Sequence, residues 1–328
     1  MALHMPPEWY KHERTWVAWP VADYAQAEDA YLAWAEVANI ASEYERVTVL
    51  VNPHQRAIAQ GYLSVEIELL DCALDDSWLR DSGATFVIDD GRLSAIDWRF
   101  NGWGAPVGRY RYDLDDKVAN FMAEQACARV VESALVNEGG AFHTNGNGLL
   151  LATETVQLGI ERNPHWTRLE VESELNAKLG TEQVIWINRG LTRDYEYFGT
   201  KGHIDIVACF ASENLLLVHD QKNPSHPDFL VSIDVISRLK EQTNCDIVRV
   251  PAPEILCDTD GFVDYSYINH YILNDAVLLC AFGDPMDAVA KGILEEVYPD
   301  RTIRLIDARP IFARGGGIHC ITQQQPAI

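Results

Sequence analysis

TFVIDDGRLSAIDWRF, residues 85–100, decides how the rest of the chain is read. Two arms rich in β-branched and aromatic residues flank Asp90-Gly91, a dipeptide suited to the left-handed positions of a tight hairpin turn. The same two-strand pattern returns in HIDIVACFASENLLLVHD (203–220) and HYILNDAVLLCAF (270–282). Helical stretches lie between such units. Residues 27–45 carry Trp34, Val37, Ala38, Ala41 and Tyr44 at helical spacing, and RVTVLV (46–51) follows as a short buried strand. Further on, Asp284-Pro285 offers an N-cap and a first-turn proline. That helix is expected to run through Met286, Val289, Ile293, Leu294 and Val297 before the strand TIRLIDA (302–308). Hairpin plus helix, repeated with no linker, low-complexity tract or charge block, argues for one α/β domain of mixed sheets over residues 1–328. No clean sequence repeat accompanies the pattern.

Composition narrows the function classes. The 328 residues are 48% hydrophobic and 23% charged, ordinary for a soluble α/β protein large enough to bury a stable core. Forty-nine acidic residues against 26 basic ones leave a net charge of −23. Such a surface repels phosphate backbones and anionic membranes, which argues against nucleic-acid and membrane partners. It either keeps the protein soluble or steers a cationic substrate. Seven cysteines are scattered, none in a C-x-x-C pair, and several lie in apolar runs such as IVACF (206–210) and VLLCAF (277–282). Reduced, buried thiols of a cytoplasmic protein are expected, not a disulfide framework. The N-terminal residues contain no apolar segment of signal-peptide type, and no stretch reaches the ~18 apolar residues of a membrane span.

Four stretches place chemically capable side chains beside glycine or at strand ends: DDSWLRDSG (75–83), NEGGAFH (137–143), KGHID (201–205) and GGGIHC (315–320). Strand-to-loop junctions are where a rigid scaffold commonly presents catalytic groups. Among the cysteines only Cys320 follows a glycine triplet. It is either a buried filler or a nucleophile held at a pocket floor, and as a nucleophile its thiolate needs a nearby cation. His203 and Asp205 are two apart, which in a strand directs both to one face, and a histidine there could give and take a proton. Read locally, Asp81 beside Arg80 is a salt bridge and Glu138 before Gly139-Gly140 is a turn. No zinc spacing is present, and DTDGFVD (258–264) fails as a calcium loop because loop position twelve is Asn269. No metal is therefore expected.

Taken in order, the motifs resemble the agmatine deiminase family, which groups with the Porphyromonas-type peptidylarginine deiminases. The resemblance runs through MPPEWYKHERTWVAWP (5–20), DDSWLRDSGATFVID (75–89), DWRFNGWG (97–104), NEGGAFHTNGNGLLLATE (137–154) and RNPHW (162–166). It continues in VIWINRG (184–190), GHID (202–205), FGDPMDAVA (282–290) and GGGIHCITQQQP (315–326). It implies a five-bladed pseudo-symmetric α/β propeller with the active site in a central channel. It implies Cys320 as nucleophile on a guanidine carbon, His203 as general acid and then base, and Glu138 supporting the imidazole. Asp81 and Asp205 would grip the guanidinium, Trp78 would stack on it, and Gly316 and Gly317 would line the substrate site. His143 and His319 match family positions and take supporting roles. No cofactor is implied. The reaction would convert agmatine and water to N-carbamoylputrescine and ammonia, toward putrescine and other polyamines, in a cytoplasmic homodimer or larger assembly.

Departures from the family pattern surround an intact catalytic set. Gly199 stands for an acidic residue, Lys201 for Asp or Asn, Ile206 for Asn, His270 for Phe and Gly317 for Asn. A lysine facing the substrate's distal ammonium would disfavour agmatine, whereas arginine's carboxylate could use it. A deiminase of free or peptidyl arginine, an amidinotransferase, and a silent guanidine-binding protein remain the alternatives. A thiol protease does not, because the cysteine lies at residue 320 without that family's local motif.

Overall fold

Asp90 and Gly91 both adopt positive φ, 50° and 74°, and turn Thr85–Asp89 back along Arg92–Arg99 with Asp89 opposite Arg92. The expected hairpin is therefore present in the computed structural model, which describes residues 3–105, 110–196 and 198–328. From the second arm the chain enters the helix Val118–Gln125 and returns as Arg129–Val136, parallel to Arg92–Arg99. An antiparallel pair, a helical crossover and a parallel strand make one unit.

Among the described residues the unit occurs five times, once in each of five sheets. The second sheet pairs Phe142–Thr144 with Leu149–Thr153, crosses over through the helix Arg168–Leu179, and adds Gln183–Ile187. The third uses Ala208–Ser212, Leu215–Asp220, the helix Asp228–Gln242 and Asp246–Pro251. The fourth uses Tyr271–Ile272, Ala276–Ala281, the helix Met286–Val297 and Thr302–Asp307. The fifth joins distant parts of the chain. Thr322–Pro326 lies antiparallel to His12–Ala18, which leads through the helix Glu28–Ala41 to Val47–Val51, with Glu68–Asp71 beyond. Parallel strands covered on both faces read as near-continuous apolar runs, as Val47–Val51 does, buried throughout and interrupted by Thr48.

Three expectations need correction. Asp284 accepts the Met286 N–H (2.9 Å), but the helix begins at Met286, so Pro285 sits at its cap and not in its first turn. Not all cysteines are buried: Cys127 and Cys257 are exposed and Cys245 is half-buried, although all seven are free thiols. His203 and Asp205 do not lie on a strand, because Ile204–Ile206 is one turn of 3-10 helix with His203 at its cap. Among the described residues no helix is long and apolar enough to cross a membrane.

Candidate active site

In each sheet the first strand of the antiparallel pair is preceded by a tight turn, and these turns converge. Leu79–Ser82 precedes Thr85–Asp89 and carries Asp81; Gly139–Ala141 precedes Phe142–Thr144, with Glu138 at its cap. Ile204–Ile206 carries Asp205, Asn269 stands just before Tyr271–Ile272, and His319–Ile321 carries Cys320. Apolar neighbours anchor each turn. Leu79, Ile204, Ile206, Ile318 and Ile321 are core residues, so the polar side chains between them are directed away from the core and toward one another.

Gly140 marks the meeting point. A Cβ there would stand 2.6 Å from His203 Nδ1 and 3.0 Å from a carboxylate oxygen of both Asp81 and Asp205. Asp81 is fixed by the Trp103 indole N–H (2.8 Å) and the Gly140 N–H (3.1 Å). His203 Nε2 faces Glu138 Oε2 at 3.3 Å, and Nδ1 lies 3.7 Å from Asp81 Oδ1. Glu138, with no exposed surface, is held by Arg162, whose Nε donates to both carboxylate oxygens (2.8 and 3.1 Å) and whose Nη2 donates to the Thr200 carbonyl (2.6 Å). Asp194 orders the preceding loop by accepting the N–H groups of Thr200, Gly202 and His203.

Cys320 Sγ lies 3.5 Å from Asp205 Oδ2 and accepts the Asn269 amide N–H (3.3 Å). His319 bridges Asp205 Oδ2 and Glu8 Oε1, at 2.8 Å from each. Glu8 also meets Arg80 (3.4 Å) and His143 (3.5 Å). Arg80 thus pairs with Glu8 and Gln324, not with its sequence neighbour Asp81.

The electrostatics follow from burial and from these partners. Burial disfavours a charged His203 ring, yet Asp81, Glu138 and Asp205 outweigh it and lift its pKa to about 9. Burial raises Asp81 to about 6, against the pull of the His203 charge. Glu138 is lowered despite burial, by Arg162 and His203; Asp205 is lowered despite burial, chiefly by His319. Burial and the charges of Asp205 and Asp81 push the Cys320 thiol well above its ordinary value, so the free protein holds it protonated. Two buried atoms here, His203 Nδ1 and Asp205 Oδ1, have no hydrogen-bond partner among the described residues.

Cys320 and Asp81 line a narrow cleft together with Tyr24, Trp78, Trp103, Tyr110, Phe198, Thr200, Arg314 and Gly315. Trp78 is oriented by its indole N–H on the Tyr24 hydroxyl (2.7 Å), which donates to Asp76 (2.6 Å). Gly315 borders the cleft; Gly316 and Gly317 stand behind it. A Cβ on Gly316 would meet the Trp78 ring at 2.7 Å, and one on Gly317 would meet Asn269 Oδ1 at 2.4 Å.

The departures noted in the sequence sit outside the cleft. Lys201 donates from Nζ to the Tyr195 carbonyl (3.1 Å). A Cβ on Gly199 would lie 1.8 Å from the Asp194 carbonyl, so this backbone admits no side chain there. Ile206 is core, and His270 spans the Tyr267 carbonyl (3.0 Å) and the Tyr298 hydroxyl (3.1 Å). Sequence reasoning assigned no role to Glu8, Arg162 or Asn269. Glu8 and Arg162 stood within the quoted stretches MPPEW and RNPHW, and Asn269 was met only as position twelve of the rejected calcium loop.

A family model for Porphyromonas-type peptidyl-arginine deiminases matches residues 4–326. A Streptomyces coelicolor protein provisionally named agmatine deiminase is 50% identical over 338 residues, with 99% of each chain covered. The agmatine deiminase of Stutzerimonas stutzeri is 35% identical over 355 residues, covering 99% of this chain and 95% of its own. Among solved structures, the agmatine deiminase of Enterococcus faecalis, captured catalysing its reaction, has a TM-score of 0.93 at 28% identity, over 99% of this chain and 96% of that one. Matched over nearly its whole length, this chain belongs to the Porphyromonas-type peptidyl-arginine deiminase family.

Proposed function

We propose that the protein is a hydrolase of guanidino C–N bonds, with agmatine as substrate and N-carbamoylputrescine and ammonia as products. The observation that carries the reading is the pair of buried atoms, Asp205 Oδ1 and His203 Nδ1, without hydrogen-bond partners among the described residues, beside a thiol that lines an aromatic cleft. A guanidinium is planar, cationic and rich in N–H groups, so Asp81 and Asp205 suit it as paired acceptors and Trp78 as a stacking face. Its arrival would offset the burial and the carboxylate charges that keep Cys320 protonated, and the thiol would then release its proton to solvent. The thiolate adds to the guanidine carbon, and His203 gives its Nδ1 proton to the departing ammonia. An amidino-cysteine remains. Neutral His203 then takes a proton from the water that attacks the amidino carbon, the C–S bond breaks to release the ureido product, and the hydroxyl proton of the adduct passes to the sulfur to restore the thiol. Glu138, held by Arg162, keeps Nε2 bonded throughout. The route needs no metal or organic cofactor.

Agmatine is favoured over arginine by two features. Full-length relatives carry the agmatine deiminase name. The Lys201 amine is engaged by the Tyr195 carbonyl, while an adjoining cleft bordered by Gly199 is lined by Asp194, Glu196, Asp260 and Asp264 with Arg193 among them, so its acidic groups outnumber its cation. The same reading takes residues 1–328 as one catalytic domain, with the five sheets as blades of a five-bladed pseudo-symmetric propeller around the site. The free cysteines fit a cytoplasmic enzyme of polyamine formation. Assembly as a homodimer or larger homo-oligomer is part of the proposal.

Ammonia release should be measured against agmatine, arginine and a blocked arginyl peptide. Turnover of agmatine alone is the expected result; preference for either arginine compound would overturn the substrate assignment. The dependence of kcat/KM on pH should be bell-shaped. Asp81 must be ionised to hold the cation, so activity falls as pH drops through about 6, and His203 must be protonated to donate, so it falls as pH rises through about 9. Activity that persists below about 6 would contradict the role of Asp81, and activity that persists above about 9 that of His203.

A further inference from the structure

Both ring nitrogens of His319 face carboxylates at 2.8 Å: Nδ1 meets Asp205 Oδ2 and Nε2 meets Glu8 Oε1. An ionised carboxylate only accepts, so both contacts are hydrogen bonds only if both nitrogens carry protons. The surroundings of Glu8 favour its ionised form. Arg80 presents Nη1 to it at 3.4 Å. The Phe210 N–H points at His143 Nδ1 (3.2 Å), which makes that nitrogen an acceptor and leaves the proton on Nε2, 3.5 Å from Glu8. The result is a buried row of alternating charge, Arg80, Glu8, His319 and Asp205. It ends at the carboxylate whose other oxygen, Oδ1, has no hydrogen-bond partner among the described residues.

We propose that Glu8 is a positioning residue for substrate recognition: through the His319 ring it fixes the charge and orientation of Asp205, directing Oδ1 at the guanidinium. The inference rests on the guanidine reading of the site. Glu8 touches neither the thiol nor the cleft. Its segment is tied down by the Met5 N–H on the Leu179 carbonyl and by His12 Nε2, which donates to the Glu8 carbonyl. Without Glu8, His319 would face the Arg80 charge with one carboxylate in place of two. It would then surrender a proton, and Asp205 would lose its cationic neighbour and its fixed orientation. Because Asp205 holds the cation equally before and during the reaction, the loss falls on KM and leaves kcat largely in place.

Two measurements test this. In free, isotopically labelled wild-type protein at neutral pH, the nitrogen resonances of His319, assigned by their loss in His319→Gln, should show both ring nitrogens protonated. In Glu8→Gln one of them should be unprotonated. In steady-state kinetics Glu8→Gln should raise KM for agmatine about tenfold with kcat within about threefold, and Glu8→Asp should recover part of the loss. A neutral His319 ring in the wild type would overturn the proposal, and this arm stands even if Glu8→Gln fails to fold. A fall in kcat with KM unchanged would overturn it too, as the mark of general loosening. Wild-type protein silent on agmatine would count against the guanidine reading, whereas the resonance arm would still decide whether Glu8 sets the state of His319.

Discussion

Replacing Cys320 with alanine is expected to lower agmatine turnover by about ten-thousandfold or more, with binding retained. The size follows from what is removed. Without the thiolate no covalent intermediate forms, and water would have to attack an intact guanidinium, a poor electrophile, directly. What remains is the grip of Asp81 and Asp205 and the aromatic wall, so calorimetric binding of agmatine should be unchanged or tighter. Tightening is plausible on charge grounds, because the cation no longer has to displace a thiol proton. Exchange of Cys127, an exposed thiol, for serine is the matching control and should leave turnover intact. Acid-quenched wild-type enzyme taken during turnover should carry a mass increase on the peptide containing Cys320. Activity of Cys320→Ala within tenfold of wild type, or a covalent mass on another cysteine, would sink the mechanism.

Removing Arg162 should produce the largest loss of stability of any single change at the site. Its side chain is 1% exposed and that of Glu138 is 0% exposed, and the Nε bond to Glu138 is 2.8 Å. Arg162→Ala leaves a carboxylate buried without its principal cation and the Thr200 carbonyl without its Nη2 donor. Breaking one side of such a pair costs about 3–5 kcal/mol, most of it the penalty of stranding the surviving charge. His203 offsets part of this by facing Glu138 from the other side. The companion double variant, Arg162→Met with Glu138→Gln, should be much less destabilised than the two single effects added together, since it strands nothing. Denaturant titration read by two probes gives both numbers. A loss below about 1 kcal/mol in Arg162→Ala would mean that the pair contributes little and that Glu138 is protonated.

The elements legible in the sequence were those in which local chemistry and tertiary demand agree. Asp90-Gly91 needed no partner to announce a turn, and the apolar stripe from Trp34 to Ala41 announced its helix. The site was legible only through motif resemblance, and there the named groups Asp81, Glu138, His203, Asp205 and Cys320 do come together. The local argument for His203 and Asp205 failed on its premise: one turn of 3-10 helix is too short to impose a visible period, so a two-residue spacing reads equally as strand. The fivefold repetition was hidden for a different reason. Backbone repeats, but each turn presents another side chain at its working position, so self-comparison of residues finds nothing. Glu8, Arg162 and Asn269 were missed because their importance lies in partners far along the chain, at 311, 24 and 51 positions for His319, Glu138 and Cys320. No local pattern encodes such pairings.

The fifth sheet also bears on how the protein is made. His12–Ala18 gains its antiparallel neighbour only from Thr322–Pro326, and Trp16 meets Gln325 across 309 positions. Closing a loop of that length costs entropy that local contacts cannot offset early, and folds that depend on such closures form slowly. During synthesis the first strand of the sheet waits with one edge open until Thr322–Pro326 has emerged, an interval in which it can pair wrongly. The turn bearing Cys320 leads directly into the closing strand. The thiol therefore reaches its carboxylates in the same late event that seals the edge, and an incompletely folded chain does not carry an assembled site.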